Sequence, residues 1–195
     1  MTGLWTRPLS AIAIAALLLG ACARSPPTRF FAIDALAPDQ ISAPTPAPLA
    51  VRILAVRLPA ALDRLEVAWP NGSSRISVND LDRWSATPGT LAREALIGDL
   101  IQRAPNLIIV PDRAGAPPLT RDLSVTLLSF ERRGPVLQTT AVVTIVSPQA
   151  RPVEVWTIAL ATPMTRSDAT TTAEALSRLI AELADRLAAR LASAP

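Results

Sequence analysis

An apolar run from Leu9 to Leu19, preceded by Arg7 and closed by Gly20-Ala21-Cys22, decides which part of this chain is free to fold. As a helix the run spans about 16 Å at ~1.5 Å per residue, about half of a bilayer's ~30 Å hydrocarbon core. It therefore reads as a cleaved export signal over residues 1–21 rather than a membrane-spanning segment. Its removal leaves residues 22–195, long enough for one domain with a hydrophobic core.

Cys22 is the only cysteine, and it follows the small pair Gly20-Ala21 with Leu19 three residues upstream. This arrangement resembles the lipobox of bacterial lipoproteins. The resemblance implies a diacylglycerol on the Cys22 sulfur, cleavage just before it, and acylation of the new amine. More than one inserted chain makes such an anchor stable, at ~0.8 kcal/mol per buried methylene. Asp after the cysteine retains proteobacterial lipoproteins in the inner membrane. Ala23 stands there in this chain, which points to the outer membrane, with the body facing the periplasm. No thiol then remains for a disulfide, so stability must come from packing.

The chain has no His, and all nineteen of its basic residues are Arg. Without His or Lys there is no Ser-His-Asp triad, Cys-His pair, His-ligated metal or Ser-Lys chemistry. No nucleophile elbow, phosphate-cradling loop or dinucleotide fingerprint is present. Asp80 and Asp82 would share a face on a strand, but an acidic pair near a turn is ordinarily solvated. A non-enzyme is expected, with no cofactor beyond the covalent lipid and no metal. The formal net charge is +3, and Arg132-Arg133 is the one adjacent basic pair, so no nucleic-acid surface is indicated.

Residues 22–29 form a short tether containing Pro26-Pro27. Its seven residues beyond Cys22 reach ~23 Å at most, which keeps the body close to the membrane. The domain is expected over 30–195. Phe30 to Asp34 reads as a first strand, followed by a Pro-rich loop over 35–48. Leu49 to Leu58 is apolar on both alternating faces except at Arg52 and Arg57, as for a strand deep in a sheet. Leu65–Trp69 and Ser74–Val78 flank Pro70-Asn71-Gly72 as a hairpin.

Thr87 and Pro88 open a helix whose apolar face collects Leu96, Ile97, Leu100, Ile101 and Ala104, ended by Pro105. Gly98 lies off that face, and a close approach by another segment would explain it. A short strand, Leu107 to Val110, comes next. Leu123–Phe130, Val136–Val146 and Val153–Thr162 then have the spacing of an antiparallel meander. The closing helix starts with Thr171 and Glu174 as a capping-box pair. It carries Leu176, Leu179, Ile180, Leu183, Leu187 and Leu191 on one stripe, with Arg178, Glu182, Asp185 and Arg186 opposite. Glu174–Arg178 and Glu182–Arg186 are spaced as i,i+4 ion pairs. The expected architecture is α+β: a largely antiparallel sheet with two amphipathic helices packed on one face.

Several of these segments together resemble the PqiC-type ABC-transporter auxiliary lipoproteins. The residues that carry the likeness are Arg29-Phe30-Phe31, then Leu58, Pro59, Leu62, Asp63 and Arg64 after a strand, then Asp82-Arg83-Trp84. Phe130 before the Arg-Arg-Gly turn and the closing amphipathic helix complete the order. Ala61, Leu65 and Val143 depart from the family pattern, where Tyr, Pro and Trp are common; those changes bear on partner contacts by the missing aromatics, not on the fold.

The resemblance implies a subunit of an MCE-type lipid transport system. Anchored in the outer membrane, it would dock a periplasmic MCE-domain protein whose permease and ATPase are indirect partners. It leaves room for self-association into a ring. Leu62, Asp63, Arg64, Trp69 and Trp84 are the candidate partner contacts, Trp and Arg being common interface hot spots. The bland reading is that Asp63 and Arg64 satisfy their own turn and Trp84 packs under the first helix. The alternative function is a periplasmic lipid- or glycolipid-binding lipoprotein, a carrier or assembly factor, which requires an apolar cavity between helices and sheet.

Overall fold

The computed structural model describes residues 26–38, 48–71, 75–112, 115–147 and 153–193. Cys22, most of the Pro-rich loop and Gly72 of the expected hairpin turn lie outside them. The elements run β1 (Arg29–Phe31), β2 (Leu49–Arg57), β3 (Glu66–Pro70), β4 (Ile76–Trp84), α1 (Pro88–Arg103), β5 (Leu107–Ile109), β6 (Arg121–Arg133), β7 (Val136–Val146), β8 (Glu154–Pro163) and α2 (Ala169–Ser193).

The larger sheet has the order β5-β2-β6-β7-β8, and the smaller β1-β4-β3. β6, β7 and β8 form the expected antiparallel meander. β2 runs parallel to both its neighbours, β5 and β6. Val51, Ile53 and Val56 of β2 are buried, whereas Leu54 is 46% exposed. In the meander Leu123, Val125, Leu127, Leu137, Ala141, Val143, Ile145, Ile158 and Leu160 are buried. Both helices pack against this sheet and against each other, giving the α+β arrangement read from the sequence.

α2 matches its stripe: Leu176, Leu179, Ile180, Leu183, Leu187 and Leu191 are all at most 5% exposed. The 3.6-residue period places these side chains on one line, and the chain buries that line. Its cap differs from the expected one. Asp168, not Thr171, caps the helix: Asp168 Oδ1 accepts the Thr171 N–H at 2.8 Å. That N–H holds the Asp168 carboxyl below its ordinary value, with Arg166 assisting. A lowered carboxyl stabilises the fold above its unfolded pKa and loses that contribution as pH falls through its folded one. Asp168→Ala is therefore expected to cost ~1 kcal/mol at pH 7. The gap to wild type should narrow in acid, as read by urea denaturation at both pH values.

Of the face read for α1, Leu96, Leu100 and Ala104 are buried and Ile97 packs against the core. Leu91, Ala92, Ala95, Leu96, Asp99, Leu100 and Arg103 are buried, whereas Ile101 is 54% exposed. The expected face stopped at apolar residues, but two charged positions complete the real one. Thr87 stands at the N-cap with Pro88 next, yet its side chain makes no cap bond; its hydroxyl pairs with that of Thr90. A Cβ on Gly98 would lie 2.9 Å from the Ala35 Cβ. The close approach expected there is real, and it comes from the segment after β1. That segment crosses both helices: the Asp34 N–H donates to Ser177 Oγ at 3.0 Å and the Leu36 N–H to Asp99 Oδ1 at 2.7 Å.

Candidate functional site

The smaller sheet gathers most of the residues singled out from the sequence. β1 pairs with β4 in parallel, Arg29 opposite Asp82, Phe30 opposite Arg83 and Phe31 opposite Trp84. Arg29 grips Asp82 as a fork, Nε to Oδ1 at 2.7 Å and Nη2 to Oδ2 at 2.8 Å. Asn79 Nδ2 donates to the same carboxylate at 3.0 Å. Asp82 is 2% exposed, so the expectation of a solvated Asp80/Asp82 pair holds for Asp80 alone. Burying Asp82 is tolerable because a planar guanidinium matches both its oxygens. The pairing raises the Arg29 pKa, Asp82 being the cause. The fork fixes the end of the tether to the body of the domain.

The turn after β2 is held by Pro59, whose carbonyl accepts the N–H groups of Leu62 at 2.8 Å and Asp63 at 3.1 Å. Leu62 faces inward, and Trp69 and Trp84 belong to the hydrophobic core. Their side chains are buried within the chain, at 9%, 9% and 3% exposure. Asp63 and Arg64 are exposed. Asp63 Oδ1 sits 3.9 Å from where a Gly89 Cβ would be, near the positive end of α1. Arg64 Nε reaches Glu66 Oε2 at 3.0 Å and Arg83 Nη2 reaches Glu66 Oε1 at 3.2 Å. The Glu66 carboxyl is pulled below its ordinary value, first by its own backbone N–H and then by Arg64. Of the sequence candidates Asp63 and Arg64 are exposed, and Arg64 joins Glu66 and Arg83 in a small charged cluster.

A buried network escaped the sequence reading. Arg103, 2% exposed, donates to Asp185 Oδ1 at 2.6 Å, the Leu36 carbonyl at 2.8 Å and Asp99 Oδ1 at 3.0 Å. It ties α1, α2 and the segment after β1 together. The i,i+4 spacing of Asp99 and Arg103 was its only sequence signal.

Two open grooves flank the first turns of α2. One, about 300 Å³, runs between Phe30, Phe31 and Leu36 and the helix residues Ala173 and Ser177. The other, about 540 Å³, is bounded by Arg166, Thr170 and Arg178. Among the described residues no cluster of His, Cys, Asp and Glu could hold a metal ion, and no helix is long and apolar enough to cross a membrane.

Residues 31–188 match the family described as the ABC-type transport auxiliary lipoprotein component. The chain belongs to this family. No curated protein matches it in sequence. Among solved structures, that of an uncharacterized protein aligns with a TM-score of 0.68 at 11% identity, over 85% of this chain and 99% of the other. Protein XCC0632 from Xanthomonas campestris, of the DUF330 family, aligns with a TM-score of 0.66 at 10% identity, over 84% and 94%. At such identities the likeness is one of fold. The described surface of this transport auxiliary lipoprotein includes a fork-pinned first strand and a charged turn.

Proposed function

We propose that this chain is a non-enzymatic lipoprotein subunit of an MCE-type ABC lipid transport system. Acyl chains on Cys22 hold it at the periplasmic face of the outer membrane, where it docks the periplasmic MCE-domain protein. The ATPase hydrolyses nucleotide elsewhere, and it and the permease touch this subunit only through that partner. The observation that carries the reading is the family match across residues 31–188. The continuous apolar core that α1 and α2 bury against the larger sheet agrees with it.

Cys22→Ser is the direct test. The variant is expected to leave the outer-membrane fraction entirely, and the mature wild-type N-terminal peptide is expected to carry three acyl chains by mass spectrometry. Wild-type membranes solubilised in mild detergent should yield the MCE-domain protein with this chain. An unmodified Cys22, or a serine variant that stays in the outer membrane, sinks the anchor. Lipid co-purifying in place of an MCE partner would favour the carrier instead.

A further inference from the structure

Phe30 is 69% exposed, the highest value for a large apolar side chain among the described residues. A single exposed apolar residue ordinarily means little; its address is what matters here. Eight residues separate it from Cys22, so the two Cα atoms lie within about 26–29 Å of each other even with the chain fully extended. The Arg29–Asp82 fork fixes β1 against β4, so Phe30 cannot swing freely on the tether.

We propose that the β1 face of the smaller sheet, centred on Phe30, rests in the interface of the membrane that holds Cys22. This rests on the lipid-anchor reading above. One row of the sheet runs Phe30, Arg83, Glu66. Leu65, 43% exposed, precedes Glu66 and lies in the next row, beside Trp84, whose N–H donates to its carbonyl at 2.7 Å. Beside Phe30 on this face stand Arg83 and Arg64, their side chains exposed by 41% and 47%, while their shared partner Glu66 is exposed by 25%; Arg29 alternates to the other face, its guanidinium 5.7 Å from the Phe31 ring.

Phe30 is thus flanked on this face by two guanidinium heads, with Asp63 exposed at the neighbouring turn. Arginine at a membrane interface lays its stem on the apolar zone and its head among the phosphates. The other highly exposed β-strand valine, Val155 at 61%, sits on β8, the edge of the other sheet. Because the acyl chains already hold the protein at the surface, the Phe30 contact is intramolecular and needs little affinity of its own.

The test uses the mature acylated protein in vesicles of phosphatidylethanolamine and phosphatidylglycerol. Phe30→Cys and Val155→Cys are each labelled with an environment-sensitive fluorophore, and nitroxide-labelled lipid serves as quencher. Quenching is expected to be about threefold stronger at position 30 than at 155, with blue-shifted emission, as for a group at the headgroup–acyl boundary. Equal, water-like behaviour at the two positions overturns the proposal. So does a probe at position 30 that is water-like on vesicles and shielded only by added purified MCE-domain protein, which would make the face a protein contact. Vesicle flotation and the mass of the N-terminal peptide separate the two levels. An acylated chain that floats with position 30 in water sinks this inference alone. An unmodified chain that fails to float sinks the anchor and this inference with it.

Discussion

Arg103→Met should destabilise the domain by about 3–5 kcal/mol, because it strips the partner from a buried carboxylate. Asp99 is fully buried and its Oδ2 has no hydrogen-bond partner. Burial pushes its pKa up, and the Leu36 N–H and Arg103 only partly offset that. Methionine fills the volume but offers no charge. The loss should appear as a fall in the urea midpoint at pH 7 with an unchanged slope. The sign of the pH dependence follows from the raised carboxyl. Its contribution to stability is full below its unfolded pKa and is lost as pH rises through its folded one. The methionine variant should therefore recover part of its deficit as pH falls from 7 towards 4. Asp99→Asn in the same background should recover much of it at pH 7, by removing the unpaired charge. A single variant as stable as wild type would show that Asp99 finds solvent or another donor.

The same network marks where the sequence stopped being informative. The stripe of α2 was readable because its six aliphatic residues repeat with the helix period, and hydrophobic burial is nearly blind to what lies opposite. The meander was readable for the same reason at period two. α1 was readable in part: Leu96, Leu100 and Ala104 are buried as read, but its buried face also includes Asp99 and Arg103. Charged residues count as solvent-facing until a partner is known, and Asp185 is eighty-two residues from Arg103. Asp82 misled in the same way: only its register against Arg29 makes its burial tolerable. The α2 cap lies three residues earlier than read because Asp168 accepts the Thr171 N–H, which places Thr171 inside the first turn. The parallel pairing of β2 was hidden too, since an apolar run reports covered faces but not strand direction.

Trp84 and the pair Asp63–Arg64 entered as one group of contact candidates, and the structure predicts opposite behaviour for them. Trp84→Ala should cost about 3–5 kcal/mol, the usual loss for deleting a buried aromatic ring. It should also loosen β1, whose Phe31 lies opposite Trp84 on the neighbouring strand. Asp63→Asn with Arg64→Ala should cost no more than about 1 kcal/mol. Arg64 belongs to an exposed ion pair, and Asp63 contributes only through the nearby end of α1. On the docking reading that double variant should nonetheless recover about tenfold less MCE-domain protein from detergent-solubilised membranes, as for loss of one interface hot spot. Thermal melts read the first effect and quantified co-purification the second. A double variant that melts normally and retains full recovery removes the turn from the interface. A Trp84→Ala protein that melts like wild type would contradict its place in the core. The decisive pattern is the crossing of the two readouts, because a general loss of folding would lower both together.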